Sequence, residues 1–190
     1  MKLILNALII VMLGAILGLG SAAAVLESSL LDDTQRIGPW RTGPLQALGD
    51  GNPYAAARLA RSGAVPLGAA EGVSLVAEAD SEGAALDPAC HYAVEGGLVW
   101  ADLWTLTVDD HDGRLPENPA GRFGFTSRDV LREASDRFRV TLGRTARPGN
   151  FVPTGSLASL RLTLRIYDTD AAARLAGETE LPTIRRSECP

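Results

Sequence analysis

The spacing of apolar and polar residues changes character twice along the chain. Residues 3–26, LILNALIIVMLGAILGLGSAAAVL, form an uncharged run in which Asn6 and Ser21 are the only clearly polar members. A stretch apolar on every side predicts a helix surrounded by lipid, since a helix docked on a soluble core needs only one apolar stripe. About 20 residues at a rise of about 1.5 Å each cross the roughly 30 Å hydrocarbon layer, so the run is long enough. After a polar connection ending in Gly38-Pro39, the stretch DGNPYAAARLARSGAVP carries helix punctuation. Asn52 is the N-cap, Pro53 the first helical residue and Gly63 the stop, which predicts a helix over 53–62. Tyr54, Ala57 and Arg61 share one side of it, a pattern suited to covering something else and not to forming a core alone.

From residue 71 the period becomes two. VSLVAEA (73–79), HYAVE (91–95), ADLWTLTV (101–108), FRVTL (138–142) and LRLTLRIY (160–167) alternate or nearly so, each bounded by Gly, Pro, Asp or Ser. In the last of these, Leu160, Leu162, Leu164 and Ile166 oppose Arg161, Thr163 and Arg165, as in an antiparallel strand with one wet face. Trp104, Leu106 and Val108 likewise share a buried side. Single-turn or two-turn helices are predicted at 127–132 and 170–177. Several strands, turn signals and few short helices make the fold mainly β, a sandwich or barrel, preceded by one N-terminal transmembrane helix. The expected domains are a membrane anchor or signal segment over 1–26, a linker over 27–37 and a β domain over 38–190.

Charge adds direction to this picture. Lys2 precedes the apolar run while Glu27, Asp32 and Asp33 follow it, so the remainder of the chain is expected on the exported side. Ala22-Ala23-Ala24 offers a signal-peptidase site, but the run exceeds the roughly 7–15 residues of a signal h-region, which favours an uncleaved anchor. Gly14 and Gly18 have the small-xxx-small spacing that lets two membrane helices approach, making a homodimer a candidate assembly. The two cysteines, Cys90 and Cys189, read as one disulfide in an oxidising compartment, with no C-x-x-C for redox or zinc chemistry. Such a bridge is worth on the order of 4–5 kcal/mol in the chain-entropy model. The 18 basic and 23 acidic residues leave a net charge of -5 and Lys2 is the single lysine; nucleic acid is not an expected partner.

The densest gathering of potential ligands is VDDHDGRLPENPAGRFG, 108–124. As a calcium loop it fails: with Gly113 as the invariant glycine, Val108 and Pro119 occupy the first and twelfth ligand positions. As a transition-metal site it has one imidazole, His111, the other histidine, His91, lying on a different strand; no metal is expected. Asp112-Gly113 after an alternating strand is a hairpin signal, so turn chemistry accounts for the aspartates. Asp109, Asp110, His111 and Asp112, with Trp100 as a stacking surface, remain the candidate ligand-binding residues. No catalytic residue can be named. There is no G-x-S-x-G elbow, and Cys90 and His91, as neighbours on a strand, face opposite sides. The loop RPGNFVPTG, 147–155, exposes Phe151 and Val152, which are expected to pin it to the core or to rim a groove.

GPW (38–40), NPYAAARLARSG (52–63), EADSEGAALDPACHY (78–92), WTLTVDDHDGRLPENPAGRFG (104–124), RPGNFVP (147–153), LTLRIYD (162–168) and LPTIRR (181–186) together resemble domain-of-unknown-function family 1214. Two positions depart from that family's pattern: Val108 where an aromatic is expected, and Phe151 in place of tryptophan. The resemblance implies a jelly-roll-like β-sandwich, with no catalytic residue and no cofactor to carry over. Longer relatives carry a family 1254 domain ahead of this one, so a family 1254 protein is the implied partner. The resulting expectation is a single-pass protein of the bacterial inner membrane with its C-terminal domain in the periplasm. It would act as a binding or accessory module; the alternative is a periplasmic hydrolase or carbohydrate-active enzyme using a groove on the sandwich.

Overall fold

The computed structural model describes residues 2–27, 36–42, 53–62, 67–68, 70–98, 100–155, 157–168, 170, 175 and 180–189. The chain divides into two compact units, one of residues 1–33 and 47–65, the other of residues 34–46 and 66–190.

The first unit contains two helices. Helix α1, Lys2–Glu27, is 26 residues long, with a mean hydropathy of 2.5 over its most apolar window. At about 1.5 Å per residue it reaches about 39 Å, so by length and composition it can cross a membrane. None of its side chains is buried by protein. Helix α2, Pro53–Ser62, starts on proline and carries Arg61 in its last turn, where a cation meets the negative end of the helix dipole. Its predicted caps, Asn52 and Gly63, lie outside the described residues.

The second unit is built from two sheets. Strands β1 (Arg36–Ile37), β2 (Trp40–Thr42), β3 (Val73–Ala77), β9 (Arg161–Tyr167), β5 (Leu103–Asp109) and β6 (Gly124–Thr126) form one sheet in that spatial order. Strands β10 (Thr183–Glu188), β4 (His91–Gly96), β7 (Phe138–Gly143) and β8 (Asn150–Pro153) form the other. Every pairing is antiparallel except β7 with β8, which run parallel. The alternation seen in the sequence fixes which faces meet. Leu160, Leu162, Leu164 and Ile166 are 0–1% exposed, as are Trp104 and Val108 of β5 and Val94, Val140 and Leu142 of the second sheet. The Trp104 and Phe138 rings, one from each sheet, lie 4.6 Å apart, so the two sheets share one apolar core. Trp40 of β2 donates through Nε1 to the Pro182 carbonyl at 2.6 Å, joining the margin of the first sheet to the segment that leads into β10.

Some elements differ from those the pattern predicts. The 147–155 loop contains strand β8, with Val152 fully buried and Phe151 half-buried. Four residues ending in proline on a sheet edge are too short to display a period, which is why they read as a loop. Strand β10 was hidden for a related reason: among Thr183–Glu188 only Ile184 is buried. Residues 36–37, expected as the end of the linker, form β1 and pair with β2 in a hairpin around Gly38-Pro39. The helix predicted over 127–132 is instead a turn that leads into a bridge between Arg132 and Phe138. There the Asp129 carboxylate accepts from the Thr126 amide and hydroxyl, a local side-chain bond that competes with helix propagation. Of the predicted 170–177 helix only Leu175, which is helical and buried, and Asp170 are described.

Candidate functional site

Asp109 closes β5 and faces outward, directly opposite Arg161 of β9. Arg161 grips it with a two-pronged contact, Nε to Oδ1 at 2.9 Å and Nη2 to Oδ2 at 3.1 Å. The Thr163 hydroxyl adds a third bond to Oδ2 at 3.1 Å. The outer side of β9 is therefore drier at this end than an alternating strand implies: Asp109 is 7% exposed and Thr163 only 4%. The remaining arm of Arg161 donates to the His111 carbonyl at 3.1 Å. Burial opposes the guanidinium charge, but the hydrogen bond to Asp109 and the charges of Asp109, Glu78 and Asp110 outweigh it and raise the arginine's pKa. Next to this group, His111 Nδ1 lies 3.1 Å from Glu78 Oε1, and Glu78 also pairs with Arg41 of β2.

Asp110 is committed to the backbone. Its Oδ1 accepts from the amides of Asp112 at 2.9 Å and Arg114 at 2.8 Å, while its main chain closes the turn to Gly113 and Arg114. The Arg114 amide bond foremost, opposed by desolvation and joined by the Asp112 amide and the charges of Arg114 and Arg161, holds its carboxyl below the usual carboxylate range. Gly113 has φ of 80°, the left-handed geometry the Asp-Gly signal predicts. The turn is not a two-residue hairpin, however. Strand β5 next pairs with β6, Thr107 against Gly124, so a long connection separates the two strands. The organising side chain is Asp110, while Asp112 is exposed and pairs only with Arg114.

The candidate ligand residues are therefore not brought to one place. Asp109 and His111 share a polar network with Arg161, Glu78 and Arg41, Asp110 bonds backbone amides of its own turn, and Asp112 is exposed. Trp100 precedes the opposite end of β5, half-buried against the core. Among the described residues no group of three or more His, Cys, Asp or Glu side chains has the arrangement of a metal site. What the network does chemically is lock the 109–114 turn onto the outer face of β9, with each Asp109 oxygen and each arm of Arg161 occupied. Arg161, Glu78 and Arg41 escape a sequence reading because nothing local marks a partner 52 residues away.

Two clefts lie elsewhere, close to a disulfide. Cys90, just before β4, is bonded to Cys189, just after β10, at a sequence separation of 99. One cleft, of about 530 Å³, is lined by the disulfide with Asp87, Pro88, Ser159 and Arg186 among others. The second, of about 430 Å³, is lined by Ala89, His91, Arg144, Thr145, Arg147 and Glu188. His91 is the inward wall of the second cleft, 8% exposed, its Nδ1 buried without a hydrogen-bond partner. The polar side chains of this cleft do not belong to the sequence-derived candidates; the only hint is the pair of arginines in Gly143-Arg-Thr-Ala-Arg147.

A disulfide, two sheets around one core and a membrane-length helix define a small β protein joined to an apolar N-terminal helix. The family described as Protein of unknown function (DUF1214) matches residues 71–171, more than half of the chain, and the chain belongs to it. Among solved structures the chain is similar to the VPA0106 protein from Vibrio parahaemolyticus, with a TM-score of 0.58 and 20% identity over 77% of this chain. The match takes in 40% of the Vibrio chain, so this protein corresponds to less than half of that one. A putative uncharacterized protein from Burkholderia cenocepacia matches at a TM-score of 0.42 and 16% identity, over 62% of this chain and 29% of the other. No curated protein matches the sequence.

Proposed function

We propose that this protein is a membrane-anchored component of the bacterial cell envelope. Helix α1 spans the inner membrane, and the two-sheet domain works in the periplasm as a binding or accessory module for a family 1254 protein. The observation that carries the compartment is the Cys90–Cys189 disulfide in a domain that follows a helix of membrane-crossing length. Such bonds persist in oxidising compartments and are rare in the cytosol. The positive charge of Lys2 ahead of the helix supports the same orientation.

The module reading rests on how the polar chemistry is spent. A hydrolase or carbohydrate-active enzyme, the competing class, would draw on a free carboxylate pair or an exposed aromatic platform. Here Asp109 is held by Arg161 and Thr163, Asp110 by backbone amides, Trp100 is half-buried against the core and Trp104 is 0% exposed. Maleimide–polyethylene glycol labelling in intact cells tests the assignment. Both cysteines should resist labelling until a reductant is added, and a double Cys90→Ser/Cys189→Ser variant should never shift. Free thiols in untreated cells, or a protein recovered in the soluble cytosolic fraction, would overturn it.

A further inference from the structure

The cleft beside His91 has the chemistry of an anion site. Strand pairing sets His91 between Gly143 of β7 and Glu188 of β10, on the sheet face away from the core. The ring lies so close to Gly143 that a Cβ there would stand 2.1 Å from Nδ1. Nδ1 is thereby sealed, with no partner, while the ring still lines the cleft, leaving Nε2 as the nitrogen on the open side. A buried N–H without an acceptor is a rarer and costlier orphan than a buried lone pair, so the neutral ring carries its proton on Nε2, as a donor into the cleft.

The other polar walls add to that donor. Arg144 has no ion-pair or hydrogen-bond partner among the described residues, and Arg147 is held only by Glu188, in an exposed pair. Thr145 contributes a hydroxyl between them. Two guanidinium groups, an imidazole N–H and a hydroxyl arrive from two chain segments, β4 and the loop after β7. A carboxylate presents two oxygens to a single fork, whereas a tetrahedral oxyanion presents oxygens in several directions at once and matches donors spread in this way. We propose that the cleft binds a phosphate group, carried by a free phosphomonoester or by a lipid headgroup. Its volume of about 430 Å³ leaves room for the organic part of such a ligand. Glu188 is then a built-in competitor: it occupies Arg147 in the empty cleft and repels the incoming anion.

This inference goes beyond the anchored-module reading and stands or falls separately from it. Equilibrium dialysis of the full-length protein in detergent micelles against radiolabelled inorganic phosphate is the test, with short-chain phosphatidic acid as competitor. Saturable binding to one site is expected, weakened roughly tenfold by Arg144→Gln, an exposed position where folding is not at stake. Glu188→Gln should instead tighten binding by roughly threefold, because it removes the competitor. Glu95→Gln makes the same charge change in the Glu95–Arg139 pair of the same sheet and should leave binding unchanged. Stronger competition by phosphatidic acid than by unlabelled phosphate assigns the lipid headgroup, and the reverse assigns the free anion; either supports the proposal. Absence of saturation by about 10 mM phosphate, or equal effects of the Glu188 and Glu95 substitutions, would overturn it.

Discussion

At Gly143 one missing carbon decides what can sit on the outer face of the second sheet. A Cβ would fall 2.1 Å from His91 Nδ1 and 2.4 Å from Cε1, and the ring, 8% exposed, has little room to retreat. Gly143→Ala should therefore cost about 1–3 kcal/mol of stability by overpacking, although alanine itself suits a strand no worse than glycine. Thermal or denaturant unfolding checks this, and the combined Gly143→Ala/His91→Ala variant should be less destabilised than the two single changes add up to. Additive losses would mean that the ring is not the obstacle. At the 109–114 turn the residue of interest is Asp110, whose folded pKa is depressed by the Arg114 and Asp112 amides. A carboxyl of that kind stabilises the turn fully above its unfolded value, about 3.9, and loses the contribution as pH falls through the lower folded value. The Arg114 amide resonance should accordingly titrate with a midpoint below the ordinary aspartate value, and the titration should vanish in Asp110→Asn. A midpoint at or above about 3.9 would contradict the geometry. The turn was legible in the sequence because Asp and Gly act on neighbouring backbone. The Asp109–Arg161 pair was not, because a register between β5 and β9 joins positions 52 apart.

Strands were legible in proportion to how many inward positions each possesses. β9 has four apolar residues at alternate positions in and just before the strand, and β5 has three; both were found within two residues of their ends. β10 has one, Ile184, and the rest of it, Arg185 through Glu188, is exposed. What then keeps those residues paired with β4 is backbone hydrogen bonding at a sheet edge, interrupted by a register shift between Arg186 and Glu188, together with the disulfide immediately after. This assigns the bond two effects. Across a separation of 99 residues it restricts the unfolded chain, an effect worth roughly 2–5 kcal/mol when such a bridge is removed. It also fixes Cys189 as a wall of the 530 Å³ cleft and Glu188 as a wall of the 430 Å³ cleft. Reduction should lower the unfolding midpoint and raise amide exchange at 186–188 well before that at 184, where the side chain is buried and the amide bonds to the Ser81 hydroxyl at 2.9 Å. Uniform exchange along the whole of β10 would show that the strand opens as a unit and that the bond does not act locally.

For the whole molecule, the family pattern and the physical pattern cover different ground. The matched segment, 71–171, contains β3 through β9, whereas the apolar helix, the β1–β2 hairpin and β10 with its cysteine lie outside it. The parts that argue for a place in the cell thus lie outside the matched segment: Lys2, the helix of mean hydropathy 2.5 and Cys189. Anchored as proposed, the domain would have its diffusion confined to a surface, which raises its effective concentration for anything else held at that surface. That is the physical reason for seeking a partner in the same membrane. Full-length protein, solubilised in mild detergent from cells that also produce a family 1254 protein, should retain that protein through affinity purification. A chain lacking residues 1–26 and exported by a cleavable signal should retain it less well, because only the tether is lost while the binding face is kept. Recovery of neither form with such a partner would sink the accessory-module reading; equal recovery of both would place all of the affinity in the domain and none in the anchor.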